Sequence, residues 1–590
     1  MRTSTIHAFF ETAARVPTRP AYHRATSSAG PLRFLETSWA EYGREVRETA
    51  RGLIALGVKP GEAVAIIGPN RPEWITADLA ALAIGAVPAP IYPNSTPAQV
   101  QYVLEHSEAV VAIVHDQKQL AKVPVPLPPR LRAIALMDAQ GSEGGDGRTL
   151  LSFAGLRARG AEVPESALQE RLDAIKPHDL ATLIYTSGTT GPPKAVMLSH
   201  DNLLFASDLG NRMVSVTAED SLVSYLPLSH IAEQMLSIHG PAVSGASLWF
   251  CEQLDKVPEV LRAARPTIFL GVPRVWEKMQ TRLEEGIAAA PPLRLKLLRW
   301  AQGRAREHVR TGKTSLGYRL AHKIILSKLH ARLGFDRCRL CLTGAAVITR
   351  GTLDFFDALD LPLFDIYGQS EGTALCSSNR PGARKPGTVG TPLPEAEVKL
   401  APDGEILTKG RHVFLGYLKD LEATSAAIDA DGYLHSGDVG EFDSEGFLKI
   451  TDRKKDLLIT SGGKNVSPQN IEGQLARIPG VALAVVVGDA RKHLAALFTL
   501  EPEAALREAQ QCGAKGANIV ELATDPVFIA HLGRGVEKIN QQLAQYETIK
   551  KFRVLPAQFG IESGELTPTM KLKRKVVGER YAKEIEELFR

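Results

Sequence analysis

Short, wholly apolar runs alternate with helix-patterned stretches through the first part of this 590-residue chain. Residues 64–67, 87–91 and 109–114 are runs of Val, Ala, Ile and Pro, and each gives way to Gly, Pro or a polar residue. Between and before them, 39–56, 73–84 and 97–107 carry apolar residues at helical spacing, and the first two close on Gly57 and Gly85. Strands that are apolar on both faces and separated by helices predict a parallel sheet, because crossover helices then cover both faces. Residues 118–165 are rich in Pro, Gly and charge and predict a surface excursion before the core returns at Leu180. A chain this long exceeds what one hydrophobic core sustains, so two or more domains are expected.

Apolar residues make up 44% of the chain and charged residues 23%, a globular composition rather than a disordered one. The net charge of +4 is too weak to predict a nucleic-acid partner. Its distribution is uneven. Residues 294–332 hold eleven Lys and Arg against Glu307 alone, a local balance of +10 that leaves −6 for the remainder. Leu293, Leu297, Trp300, Leu320 and Ile324 are interleaved with these charges. Two readings stand side by side: a basic helical pair in peripheral contact with a membrane, or a solvated face whose long side chains cover a core. The first twenty residues include Glu11 and no apolar signal core, and no run of about 18 uncharged apolar residues occurs, so a cytoplasmic protein without a membrane span is expected. Five scattered cysteines, with no CxxC pair, read as reduced thiols.

Several stretches carry chemistry. Residues 185–194 read Tyr-Thr-Ser-Gly-Thr-Thr-Gly-Pro-Pro-Lys. Gly188 and Gly191 let backbone amides approach an anion, Thr186, Ser187, Thr189 and Thr190 add hydroxyl donors, and Lys194 adds charge. This chemistry suits a polyphosphate, although the spacing is not that of a Walker loop. A polar surface loop has the same composition, so the order of residues is the distinguishing signal. At 340–346 an apolar strand runs into Gly344 and Ala345, small residues that let a flat ligand approach. At 364–372 an aromatic (Tyr367), a glycine (Gly368), a hydroxyl (Ser370) and a carboxylate (Glu371) follow a strand. Asp438 is expected just after a tight Ser-Gly turn, where its carboxylate can accept from a ribose diol, with Arg453 as a donor to the same sugar. His230 follows an apolar strand and reads on its own as a packed or surface histidine.

In this order the motifs resemble those of the AMP-forming acyl-activating enzymes, which include acyl-CoA synthetases, peptide-synthetase adenylation domains and luciferases. TSGTTG with the lysine at 194 is similar to that family's phosphate loop, and YGQSEG to its Tyr-Gly-x-Thr-Glu motif, with Ser370 in place of Thr. GVPRVWEK at 271–278 and TPTMKLKR at 567–574, where Met570 replaces the usual Gly, resemble the long-chain fatty acid–CoA ligase branch. The resemblance implies an α/β fold: a large N-terminal domain (1–451) of parallel and mixed sheets with flanking helices, a hinge (452–456) pivoting at Lys455, and a small mobile α+β domain (457–590). It implies that Thr186, Ser187, Gly188, Thr189, Thr190, Gly191 and Lys194 hold the phosphates of ATP. Gly344, Ala345, Tyr367 and Gly368 are implied to meet the adenine, Ser370 the phosphate, Asp438 and Arg453 the ribose, and Glu371 a Mg2+ ion. His230 and Gly271 are implied to border the acyl pocket, Gly462 and Gly463 to line the CoA channel, and Lys571 to be the catalytic lysine. The implied reaction activates a fatty acid as acyl-adenylate and transfers it to CoA. Alternatives are adenylation of another hydrophobic acid, transfer to a carrier protein, luciferase-type oxygenation and a degenerate nucleotide-binding homologue. GVPRVWEK and Met570 argue against a peptide-synthetase domain, and the presence of Glu371, Asp438, Arg453 and Lys571 argues against the degenerate homologue. Acyl chain length and oligomeric state are not legible in the sequence.

Overall fold

The computed structural model describes residues 2–26, 32–138, 149–186, 192–461, 464–560, 563–567 and 572–590. The predicted apolar runs form the strands Ala63–Ile67, Val87–Ile91 and Val111–Val114 of one five-stranded, all-parallel sheet. Residues 118–165 differ from the expected surface excursion. Within them, Ala133–Leu136 and Thr149–Ser152 complete that sheet, and the helix Phe153–Arg159 packs on the helix Trp39–Ala55. The four-residue run Ala-Ile-Ala-Leu is fully buried, yet Pro128, Pro129, Arg130 and Arg132 just before it hide it in any window average.

The helix Pro72–Ala83 is enclosed on nearly every side: all its residues except Glu73 are buried. Pro72 at its first turn lacks only an amide that would be unpaired anyway. Asp78 sits in this helix at 1% exposure, and neither carboxylate oxygen has a hydrogen-bond partner. Burial pushes its pKa up to about 8.

Beside the parallel sheet, strand Leu180–Thr186 runs along Val87–Ile91, and Thr182 Oγ1 donates to Pro88 O at 3.3 Å. It pairs antiparallel with Lys194–Ser199, to which the short strand Gly416–Tyr417 adds on the far side. A second sheet runs Ile268–Gly271, Leu340–Gly344 and Leu363–Tyr367 in parallel and then turns antiparallel through Ser377–Ser378 and Thr391–Pro392. An antiparallel sheet of Glu397–Leu400, Glu405–Lys409, Leu434–Phe442 and Leu448–Arg453 leads into residues 452–456. After that point Val481–Val487, Leu494–Leu500 and Ile549–Val554 form a mixed three-stranded sheet, whose two hydrophobic clusters draw only on residues 458–589.

The basic stretch is helical. Helix Pro292–Thr311 packs through Ala301 and Ala305 on Ala321 and Leu326 of a second helical run, Leu316–Ala321 continuing by a π-helical turn into Ser327–Leu333. Small alanines bring the two axes close, and Leu293, Leu297, Trp300, Leu316, Leu320 and Ile324 are left exposed, with Leu293 at 72% and Leu316 at 82%. Among the described residues no helix is long and apolar enough to cross a membrane.

The buried Asp78 makes a pH prediction. Folded, it keeps its proton up to about pH 8, whereas an exposed carboxyl in the unfolded chain loses it near about pH 3.9. The folded state therefore binds the extra proton in that window, and stability falls as pH rises through it. Tyr42, whose own ionisation burial and then nearby charges including Asp78 disfavour, is the neighbouring titratable group and stays neutral throughout. Asp78→Asn removes the effect: between pH 5 and 8 the parent should lose about 5 °C more of Tm than the variant in thermal scans.

Candidate active site

The hairpin Leu180–Thr186/Lys194–Ser199 places Thr186 opposite Lys194, with Thr186 Oγ1 donating to Lys194 O at 3.4 Å. Ser187, Gly188, Thr189, Thr190 and Gly191 lie outside the described residues. The Lys194 ammonium stands 4.9 Å from the ring centroid of Tyr417 and 4.0 Å from Asp420 Oδ2. Tyr417 reaches this position because its strand pairs with the lysine strand, Tyr417 opposite Val196. Its hydroxyl donates to Glu371 Oε1 at 2.8 Å, and burial, followed by the charge of Glu371, raises its pKa and keeps it a donor. Lys194 and Glu371 are thus joined through a residue that the sequence motifs do not mark. A cation on one side of the ring and a carboxylate at its hydroxyl suit a polyanion accompanied by a hard cation.

Glu371 sits in a tight turn, Ser370–Gly372, that follows strand Leu363–Tyr367. A Cβ on Gly368 would lie 2.2 Å from Ala374 O, so only glycine lets the chain fold back this closely. Thr373 (φ 50°) and Ala374 (φ 70°) then occupy the left-handed region, and Ala345 does the same (φ 67°) on the neighbouring strand end. Each such residue costs about 1–2 kcal/mol and persists only where its surroundings dictate it. Here the Thr373 hydroxyl donates to His412 O at 2.6 Å, and Ala374 N–H to Gln369 O at 3.0 Å. Gly344 pairs with Ile366, whose carbonyl would be 2.8 Å from an added Cβ. The segments holding Gly344–Ala345 and Tyr367–Glu371 are therefore adjacent, and Ser370 is buried between them and the core.

Tyr367 donates its hydroxyl to Asp438 Oδ2 at 2.7 Å, and Asp438 Oδ1 lies 3.3 Å from Arg453 Nε. Burial, then the Asp438 charge, drives the Tyr367 pKa well up, so the phenol remains neutral. The tight turn expected at Ser436-Gly437 is replaced by continuous strand: Asp438 lies inside strand Leu434–Phe442, directly opposite Arg453, and Gly437 (φ 71°) bends the strand rather than ending it. Asp438 is 7% exposed and Arg453 is exposed, which leaves the guanidinium face open to solvent. Glu405 buttresses both. Its carboxylate accepts from Gly437 N–H at 2.9 Å and from Lys454 at 2.9 Å, so it grips the neighbour of each member of the pair.

The two acyl-pocket candidates occupy packed positions. His230 Nδ1 accepts from Ala232 N–H at 3.2 Å and caps the short helix Ile231–Gln234. Glu233 beside it is fully enclosed and accepts from Ser224 Oγ (2.7 Å), Ser237 Oγ (2.6 Å) and Asn70 Nδ2 (3.3 Å); burial pushes its pKa up to about 8. At Gly271 a Cβ would lie 2.5 Å from Trp276 Nε1, so the glycine makes room for a buried indole that donates to Leu342 O. The Tyr225 hydroxyl brackets Gly271, donating to Leu270 O and accepting from Val272 N–H, and so links it to the loop bearing His230. Lys455 is exposed in a turn closed by Asp456 N–H to Arg453 O at 3.0 Å. Gly462, Gly463 and Lys571 lie outside the described residues; Leu566 and Leu572, flanking Lys571 in sequence, pair with each other.

This geometry has close counterparts. A family profile described as AMP-binding enzyme matches residues 9–418, and one described as AMP-binding enzyme C-terminal domain matches 455–590. The chain is 36% identical over 589 residues to a long-chain-fatty-acid–CoA ligase of Xenopus laevis, covering 94% of this chain and 79% of that one. It is also 36% identical to a long-chain-fatty-acid–CoA ligase of Mycobacterium tuberculosis, covering 94% and 92%. Among solved structures, the adenylation domain of a carboxylate reductase from Mycobacterium chelonae superposes with a TM-score of 0.77 at 23% identity, covering 99% of this chain and 91% of that one. A didomain of a carboxylic acid reductase from Segniliparus rugosus in complex with AMP superposes at 0.78 with 24% identity, covering 100% and 82%. At those identities the structures speak for the fold, while the sequence matches establish descent: this chain belongs to the AMP-binding enzyme family.

Proposed function

We propose that the chain is a long-chain fatty acid–CoA ligase that uses ATP, with residues 1–451 as the adenylation domain, 452–456 as the hinge and 457–590 as a mobile lid. The observation that carries this reading is the Tyr367–Asp438–Arg453 array beside Glu371 and Lys194, in a chain alike over 94% of its length to curated ligases of that name. In the first step a carboxylate oxygen of the acid attacks the α-phosphorus of ATP, a P–O bond forms, and the bond to the bridging oxygen breaks with pyrophosphate taking the electron pair. The nucleophile is already ionised, so no base is required. The obstacle is repulsion between anions, which charge placed in advance relieves. Lys194 and the hydroxyl-rich segment at 186–191 hold phosphate, Tyr367 and the 344–345 turn face the base, and Asp438 and Arg453 hold the ribose. In the second step the CoA thiolate attacks the acyl carbonyl and AMP leaves. The 462–463 segment lines the thiol's path once the lid has turned about Lys455.

Mg2+ neutralises charge on the phosphates when bound, and Glu371 would hold it. A single carboxylate, held by the Tyr417 hydroxyl, suits a hard ion that takes its other ligands from phosphate and water. Tyr417 orients that carboxylate by its 2.8 Å hydrogen bond.

The basic hairpin gives the reading its setting. We place Arg294, Lys296 and Arg299, exposed together with Leu293 and Trp300, against an anionic bilayer, where a long-chain acid resides. Charge attracts the helix and the apolar side chains enter the headgroup region.

Three measurements test this. Lys571→Ala should lower acid-dependent ATP–pyrophosphate exchange by at least 100-fold while sparing thioester formation from supplied acyl-adenylate; equal loss of both contradicts its role. Tyr417→Phe should raise the Mg2+ concentration needed for half-maximal exchange severalfold without moving the KM for the acid, as read from Mg2+ titrations. Reversing Arg294, Lys296 and Arg299 to Glu should weaken co-sedimentation with phosphatidylglycerol vesicles about 100-fold, at about 1 kcal/mol per charge removed. Undiminished binding would place the hairpin elsewhere.

A further inference from the structure

We infer that Arg574 is a positioning residue that locks the segments bearing Lys571 and Gly462-Gly463 to the hinge residue Asp456, so that they move as one body. The inference rests on the ligase reading for what those segments do, but its geometry stands apart from it. Arg574 is the first residue of helix Arg574–Arg580, three positions after Lys571. Its guanidinium donates to both oxygens of Glu472, at 2.8 and 2.5 Å, and its Nε lies 3.7 Å from Asp456 Oδ1. The three side chains are 18%, 12% and 14% exposed.

Each partner belongs to a different functional stretch. Glu472 lies in helix Pro468–Leu475, which begins five residues after Gly463, and it also accepts from Val486 N–H at 2.7 Å in the edge strand Val481–Val487 of that body's sheet. Asp456 follows the pivot Lys455 and accepts from Gln469 Nε2 at 3.2 Å. On the lysine side, Lys573 N–H donates to Glu565 O at 2.8 Å, anchoring both flanks of that segment to the same core. A buried ion cluster of this kind is costly to open, because losing one member strands the charge of another. The two-pronged contact needs a planar fork, which lysine lacks. Across the hinge, Ser467 Oγ and Asn470 Nδ2 donate to one carbonyl, Thr451 O, at 3.0 and 3.3 Å, and Arg507 donates to Glu285 at 2.8 Å on the exposed surface.

The test uses the full-length protein and the variants Arg574→Lys and Glu472→Gln. Amide hydrogen exchange should accelerate at least 10-fold in both peptides 457–467 and 563–573 in each variant. ATP–pyrophosphate exchange and thioester formation from supplied acyl-adenylate should both fall at least 10-fold, whereas Lys571→Ala affects only the first. Binding of AMP, held by residues up to Arg453, should stay within twofold. Combining the two substitutions should add little to either. Faster exchange in one segment alone, or loss of one half-reaction alone, overturns the proposal. Should Arg574→Lys fail to fold, Glu472→Gln, which keeps the side chain's shape, carries the same expectations. The exchange measurement needs no acid. A parent inactive on every fatty acid would sink the ligase reading and leave the mechanical one standing.

Discussion

Asp438 faces Arg453 because two antiparallel strands hold them as register partners, and a slip of one strand by one residue would put the two side chains on opposite faces. Much of the candidate site hangs on that pairing. It delivers the carboxylate to the Tyr367 hydroxyl from the neighbouring sheet, and it fixes where strand Leu448–Arg453 ends and the hinge begins. The register is pinned from outside by Glu405, whose buried carboxylate holds Gly437 N–H on one strand and Lys454 on the other. Burial alone would favour protonating Glu405. The ammonium of Lys454, His435 and the Gly437 amide outweigh that and keep its pKa low, so the clamp stays charged.

The local parts of this design were readable from the chain. Apolar runs at 64–67, 87–91 and 109–114 became parallel strands because continuous apolarity leaves few other choices. Motifs such as Tyr367 to Glu371 announced themselves because their residues are neighbours in sequence. Tyr417 and Glu405 were invisible for the opposite reason. Tyr417 matters through a carboxylate 46 positions away and Glu405 through an amide 32 positions away, and nothing in either local sequence hints at the partner. Ala133–Leu136 was missed because four small apolar residues between prolines, arginines and an acidic stretch give no periodic signal. A tight turn was expected just before Asp438 because Ser-Gly usually makes one; here the sheet continues through both residues.

Buried ionisable groups are handled in two ways. Some are left neutral: burial holds Asp78 and Glu233 protonated up to about pH 8, and lowers His200 to about 4 and His239 to about 3. Hydrogen bonds make such burial cheaper for Glu233, whereas neither oxygen of Asp78 has a partner. Others stay charged, as Glu405 does, and so does Arg574. Burial disfavours its charge, and Glu472 and Asp456 more than offset that. An ion cluster is directional, so it fixes how the helices that carry its members lie against each other.

The contacts at Thr451 have a thermodynamic consequence for the proposed hinge. Two side-chain hydrogen bonds to one carbonyl, each worth about 0.5–1.5 kcal/mol once water is counted, and the exposed Arg507–Glu285 pair, worth about 0–1 kcal/mol, together contribute about 1–4 kcal/mol toward the present orientation. Polar contacts of that size are within reach of a ligand that prefers one orientation by a few kcal/mol. In the proposed reading a nucleotide or acyl-adenylate with such a preference inverts the balance without a dedicated trigger, and the succession of chemical species in the pocket sets the timing.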